Sequence, residues 1–327
     1  MPNRTHNNLK LRAYGALILA TAIWGGALPI IKITEQYIPV FTFLFLRFLL
    51  VCILMLPVMI VELKKTPIAT KDIKNLVILG LLGQTALAFV FVGVKYTTSL
   101  DAAILGTSAP IMVIAAGHFF YNEKLNYKAK LGVFIATLGT LLIMLEPMLF
   151  KGQHTELEQG LRVLGNLAVL IYNVAFTAYI IVSKHVMGEN SSTLTTILKR
   201  LRLNRMTRSY SPTLHTGFTF YVSLVSIFPL MLIENRYMKA FDLTNLTIIP
   251  IAGILYMAIL SSIVAYVAFE WGLKRAKAAD TAIFSYLGPL FTIPISFVLL
   301  QESPTPAAFL GIIIIVIGVV GAETNRK

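Results

Sequence analysis

Hydrophobic residues fall in ten long runs along this chain, at 13–32, 40–61, 75–95, 102–121, 130–149, 162–182, 215–233, 247–271, 281–300 and 306–322. Short clusters rich in Lys, Arg, Asn, Gly and Pro separate them. A helix needs roughly 17 to 25 mostly apolar residues to cross a bilayer, so the pattern predicts an all-α integral membrane protein with ten transmembrane helices. Lipid offers no hydrogen bonds to a bare backbone, so each run is expected to be helical, with its internal Pro and Gly covered by neighbouring helices. The first run follows Arg4, Lys10 and Arg12 as a signal peptide would. It is too long for one and lacks a small-residue cleavage site, and it is expected to stay as the first span.

Composition agrees: 57% of the 327 residues are hydrophobic and only 13% charged, more apolar surface than one soluble core uses. The formal charge of +13 would suit nucleic acid, but no soluble domain is present to bind it. Placing the N-terminus in the cytoplasm puts 21 of the 28 Lys and Arg in inner segments and 6 in outer ones, leaving Arg47 inside a span. Both termini of a multi-pass protein of the cell membrane are therefore expected to be cytoplasmic. Cys52 is the single cysteine, which excludes an intrachain disulfide and a cysteine-rich metal site and suits packing within the second span.

An internal repeat appears when the chain is compared with itself at an offset of 179 residues: 13 of the 47 positions from 93 to 139 are identical to their counterparts. The matches include Asp101 and Asp280, Pro110 and Pro289, Glu123 and Glu302, Gly132 and Gly311, and Gly139 and Gly318. The offset carries span three onto span eight, an odd shift of five helices. Two inverted halves are expected, 13–149 and 162–322, an arrangement that lets a transporter expose a midplane site to either side in turn. Asp101 and Asp280 are expected to cap the helices that follow them. Pro110 and Pro289 are expected near mid-bilayer, as static kinks or as parts of a gate. Glu123 and Glu302 mark helix exits, and the glycines seven apart allow close helix packing.

The first span carries A-I-W-G-G-A-L-P-I-I-K at 22–32, the second L-R-F-L-L at 46–50, and the third leads into G-V-K-Y-T-T-S-L-D-A-A-I at 93–104. With the duplicated Pro, Glu and glycine pattern, the chain resembles the drug/metabolite transporter superfamily, specifically the EamA-type ten-span permeases with two tandem repeats. The resemblance covers nearly the whole chain. It implies export or exchange of small metabolites, often amino acids or their derivatives, through a central cavity between the halves. Uptake or exchange of another small metabolite is the alternative, and a non-transporting receptor or scaffold a more distant one. The chain departs from the pattern in two places: the long connection at 183–214, and Glu270 where the first half has Phe91.

That connection interleaves Leu194, Ile197, Leu198 and Leu201 with Lys199, Arg200, Arg202, Arg205 and Arg208, the spacing of a basic amphipathic helix lying on an anionic leaflet. Ionisable groups inside spans default to functional hypotheses. Arg47 is a candidate for a substrate carboxylate or for interfacial carbonyls and headgroups, and Glu270 for proton coupling, for a substrate amine or for a pair with Lys274. His118 is a candidate for packing or proton relay. Trp24, Gln84, Tyr172, Tyr179, Tyr266 and Tyr286 are amphipathic candidates for a cavity wall. The expected partners are a small-molecule substrate and the bilayer, including anionic lipids, with no nucleic acid; homodimerisation stays open.

An enzyme is not expected. Ser108 and His118 sit about 15 Å apart along one helix and cannot form a dyad there. No H-E-x-x-H or phosphate-cradling glycine loop is present, and neither cofactor nor metal is expected.

Overall fold

The structure, a computed structural model, describes residues 2–149, 156–188, 191–201, 203–237, 247–273 and 287–324, with backbone only at 2–10, 156, 157, 192, 270, 273 and 322–324. Asp280 and Tyr286 lie outside the described residues, as does the side chain of Glu270. Every regular element among the described residues is helical. Eight helical segments are long and apolar enough to cross a membrane, and two shorter apolar helices, Gly288–Leu300 and Pro306–Gly321, follow them. Large apolar side chains such as Phe134, Val225 and Val298 are exposed, as lipid rather than water requires of a bundle's outer surface.

The helices are α1 Pro2–Thr34, α2 Val40–Lys65, α3 Thr70–Gly80, α4 Leu87–Tyr96, α5 Ser99–Gly106, α6 Ala109–Tyr121 and α7 Tyr127–Leu149. They continue as α8 Glu156–Val186, α9 Ser192–Arg200, α10 Pro212–Tyr237, α11 Ile248–Leu255, α12 Ala265–Leu273, α13 Gly288–Leu300 and α14 Pro306–Thr324. A π-helical turn at Leu81–Thr85 joins α3 to α4, and a longer one at Tyr256–Val264 joins α11 to α12. The helices pair as α2 with α10, α7 with α14, α1 with α12 and α13, and α8 with α4 and α6.

The offset of 179 reappears in local structure. Helix α6 maps residue for residue onto α13, and the left-handed caps that end them, Asn122 (φ 54°) and Gln301 (φ 56°), coincide under the same shift. The first π turn maps onto the second half of the other, 81–85 onto 260–264.

Proline marks the start of two helices. Pro110 and Pro289 each stand in the first turn of a new helix, where the missing N–H costs nothing. In the first case the span breaks at Thr107 and Ser108, so that its proline starts a half-helix and does not kink a continuous one. Asn173 of α8 donates to the Leu105 carbonyl (2.8 Å), which also accepts from the Ser108 N–H (3.0 Å), and to Ser108 Oγ (3.1 Å), tying α8 to the break. In α1, Pro29 cannot donate to the Gly25 carbonyl, and Thr292 Oγ1 of α13 donates to it at 2.8 Å. Gly25 itself has no room for a side chain: a Cβ would stand 2.7 Å from the Gly288 carbonyl oxygen. At Gly318 a Cβ would strike the Ala136 nitrogen and the Gly132 carbonyl, so the expected close packing of the glycine-bearing helices α7 and α14 is present.

Two expectations are corrected. The N-cap of α5 is Thr98, whose extended backbone and Oγ1, accepting from the Asp101 N–H at 2.9 Å, fit that position. Asp101 lies three residues inside, where its carboxylate takes Arg162 Nη2 at 2.8 Å. The basic helix α9 turns Leu194 and Leu198 onto Leu79, Ala116, Ile181 and Val182, burying half of its apolar face in the protein. Only Ile197 and Leu201 of the four stay exposed. Asp72 ties the rest of the connection to α3, accepting from the Thr207 N–H (2.9 Å) and the Tyr210 hydroxyl (2.6 Å).

Candidate functional site

A cavity of about 530 Å³ opens between α1, α2, α4, α5, α8, α10, α12, α13 and the two π turns. Its wall combines two aromatic tiers. On α8, Tyr172, Phe176 and Tyr179 follow one another at the four- and three-residue steps that share a helix face, with neighbouring centroids 5.9 Å apart. Opposite them, Trp24 packs edge-on to Tyr266 at 5.3 Å and against Phe269 at 5.2 Å. The π turn frees the Ser261 carbonyl, which accepts from Trp24 Nε1 at 3.0 Å and fixes the indole.

Polar groups on this wall are few and oriented. Gln84, in the first π turn, donates through Nε2 to the Tyr266 hydroxyl at 3.0 Å, and its Oε1 is buried without a partner. Arg47 is 3% exposed, and its Nε and Nη2 donate to Ser262 Oγ at 3.2 and 3.0 Å. Its guanidinium stands over the Phe48 and Phe91 rings at 5.3 and 5.8 Å. Nη1 has no partner, and no carboxylate among the described side chains pairs with it. Among the described side chains, this buried cation is compensated by a hydroxyl and by ring faces. Such a charge is costly in a low dielectric, and an entering anion relieves that cost.

A polar layer lies at one end of the bundle. Lys32 of α1 pairs with Glu302 at 3.1 Å and also donates to the Thr97 carbonyl. Glu302 accepts from the Ser99 N–H at 2.9 Å, and Ser99 Oγ meets Ser296 Oγ at 2.7 Å. Beside this, Arg162 bridges Asp101 (2.8 Å) and Glu146 (3.2 Å). At the other end Lys184 and Glu123 face each other at 3.8 Å.

The structure brings Trp24, Arg47, Gln84, Tyr172, Tyr266 and Pro289 to one cavity. Pro110 and Asp101 do not line it, and neither does His118, whose Nδ1 meets the Glu123 carbonyl at 2.7 Å. Sequence reasoning missed Asn173 and Ser262. The intramembrane Asn was visible as a costly polar group; the role of Ser262 depends on a π turn that no residue pattern announces. Among the described residues no group of His, Cys, Asp and Glu could hold a metal ion.

Many membrane-crossing helices around a mostly apolar cavity with a few oriented polar groups define the class, a multi-pass membrane transporter. The family model for the EamA-like transporter family matches residues 11–145 and 203–323, and the chain belongs to that family. An uncharacterized transporter of Archaeoglobus fulgidus is 28% identical over 305 residues, covering 93% of this chain and 94% of the relative. The uncharacterized transporter YetK of Bacillus subtilis is 25% identical over 320 residues, covering 97% and 88%. A solved crystal structure shares the fold with a TM-score of 0.57 at 17% identity, covering 98% of this chain and 97% of that one.

Proposed function

We propose that the chain is a secondary transporter that exports a small polar metabolite, an amino acid or derivative, by alternating access between two inverted five-helix halves, 13–149 and 162–322. The observation that carries the substrate reading is a pair of unpartnered buried atoms on residues that line the same cavity, a cationic donor at Arg47 Nη1 and an acceptor at Gln84 Oε1. A molecule with a carboxylate and an N–H group satisfies both, while the aromatic tiers take its apolar part.

The ten-span inverted arrangement is supported by helices, caps and π turns recurring at one offset, and by the charge bias that sets both termini in the cytoplasm of a cell-membrane protein. In that orientation the Lys32–Glu302 layer is external, and Asp72, Glu123 and α9 are internal. The exposed Lys199 and Arg200 then face the anionic inner leaflet. Glu270 stays a candidate coupling carboxylate.

The test is thermal stabilisation of the purified chain across a panel of amino acids, their decarboxylated amines and their deaminated acids. The proposal expects at least one amino acid to raise Tm more than its amine, with that advantage absent in Arg47→Gln. Equal shifts by amines and amino acids would refute it.

A further inference from the structure

Arg47 is oriented by a neutral group. Ser262 Oγ accepts from both Nε and Nη2 of Arg47, and its own hydrogen goes to the Met257 carbonyl at 2.8 Å, five residues back. In an α-helical turn a serine hydroxyl reaches the carbonyl three or four residues back; the π turn at Tyr256–Val264 brings the fifth into range. With its proton committed there, the Ser262 oxygen can only accept, and its lone pairs face the guanidinium. Ser262 is 2% exposed and is not part of the cavity wall.

The repeat shows what this arrangement replaces. The offset of 179 carries Arg47 onto Ser226 and Ser262 onto Gly83. There Thr85 of the first π turn hydrogen-bonds to α10 through neutral hydroxyls, its Oγ1 meeting Ser226 Oγ at 2.8 Å and Ser223 Oγ at 3.1 Å. A cation therefore stands at one of two equivalent positions, held by a hydroxyl where a carboxylate would have neutralised it. A bidentate carboxylate would fix the guanidinium as firmly but take its charge. The hydroxyl fixes two of its nitrogens and leaves Nη1 and the charge to the cavity.

We propose that Ser262 is a positioning residue that holds the Arg47 guanidinium aimed and uncompensated for the anionic group of the transported molecule. This rests on the reading of Arg47 as the contact for that group.

The probe is benzoate, a carboxylate on an aromatic body, compared with neutral benzamide. Binding to the full-length chain is followed by the fluorescence of Trp24, with Trp271, the only other tryptophan, replaced by Phe. We expect the parent chain to prefer benzoate and Arg47→Gln to lose the preference. Ser262→Ala should weaken benzoate about tenfold, the loss of hydrogen bonds to a charged group, and leave benzamide unchanged. Ser262→Thr should restore benzoate, and Ser262→Asp should abolish the preference while Tm without ligand stays equal or rises. If Arg47→Gln loses the preference but Ser262→Ala and Ser262→Asp bind benzoate as the parent does, Ser262 is not a positioning residue. If Arg47→Gln keeps the preference, or the parent shows none, the anion reading of Arg47 falls and takes this inference with it. Should Ser262→Ala fail to fold, the Thr and Asp variants decide alone.

Discussion

Glu302→Gln should loosen one end of the transporter and open the cavity from that side. The carboxylate accepts from Lys32 at 3.1 Å and from the Ser99 N–H at 2.9 Å, joining α1 to the start of α5 and the end of α13. Glutamine keeps the shape and an acceptor but loses the charge. Side-chain exposures of 25% for Lys32 and 13% for Glu302 discount the ion pair, and the two remaining charge-assisted bonds, from the Ser99 N–H and the Ser99 hydroxyl, are worth about 1.5 to 3 kcal/mol each at most. A net loss of about 1.4 kcal/mol corresponds to a tenfold shift in the balance between closed and open states. The assay uses Cys52→Ser as background, since Cys52 is the only cysteine, and a cysteine placed at Ala102 on the cavity wall. An impermeant maleimide added outside should label that position about tenfold faster when Glu302→Gln is present. An unchanged rate would refute the gating role of the layer, and faster labelling only from the cytoplasmic side would refute its assignment to the outer end.

Other consequences concern stability. Burial pushes the Glu35 carboxyl well above the usual carboxylate range, aided by Glu234 and opposed by Lys95 and Lys32. The folded chain thus holds a proton that the unfolded chain has released, so stability falls as pH rises from the ordinary carboxylate value through the raised one. Glu35→Gln should raise Tm at neutral pH and above and have no effect below about pH 4; a gain independent of pH would contradict the burial account. Thr292→Val removes the hydroxyl that serves the Gly25 carbonyl at 2.8 Å and should cost about 1 to 3 kcal/mol, read as a lower unfolding midpoint in denaturant titration. Gly318→Leu should separate α7 from α14 and abolish recovery of folded protein in detergent; normal recovery would mean that the backbone of Ala136, which a side chain at 318 would strike, can give way.

Apolar runs made the spans legible in the sequence, because a bilayer forces length and composition on every crossing segment. The Asp, Pro, Glu and Gly matches made the duplication legible, and the structure repeats it down to the caps at Asn122 and Gln301. Five of the proposed wall residues, Trp24, Arg47, Gln84, Tyr172 and Tyr266, were found because polar and amphipathic groups are rare inside spans. Facing was not legible. His118 passed the same rarity test yet turns to the Glu123 carbonyl. Asp101 read as a cap because an acidic residue begins a helix there, while Thr98 three residues earlier holds the extended backbone that a cap requires. The apolar stripe of α9 suggested lipid, but the sequence could not show that Leu79 and Ile181 already offered it a surface. The π turns were invisible for the same reason: they depend on which carbonyls the neighbouring helices can satisfy.

Exchange in proteoliposomes tests the central claim most directly. Vesicles preloaded with each of the twenty unlabelled amino acids in turn are given the same amino acid in radiolabelled form, with the parent chain and with Arg47→Gln. The account predicts accumulation of at least one amino acid by the parent chain and about tenfold less by the variant. No accumulation of any of the twenty, or equal accumulation by both proteins, would contradict it.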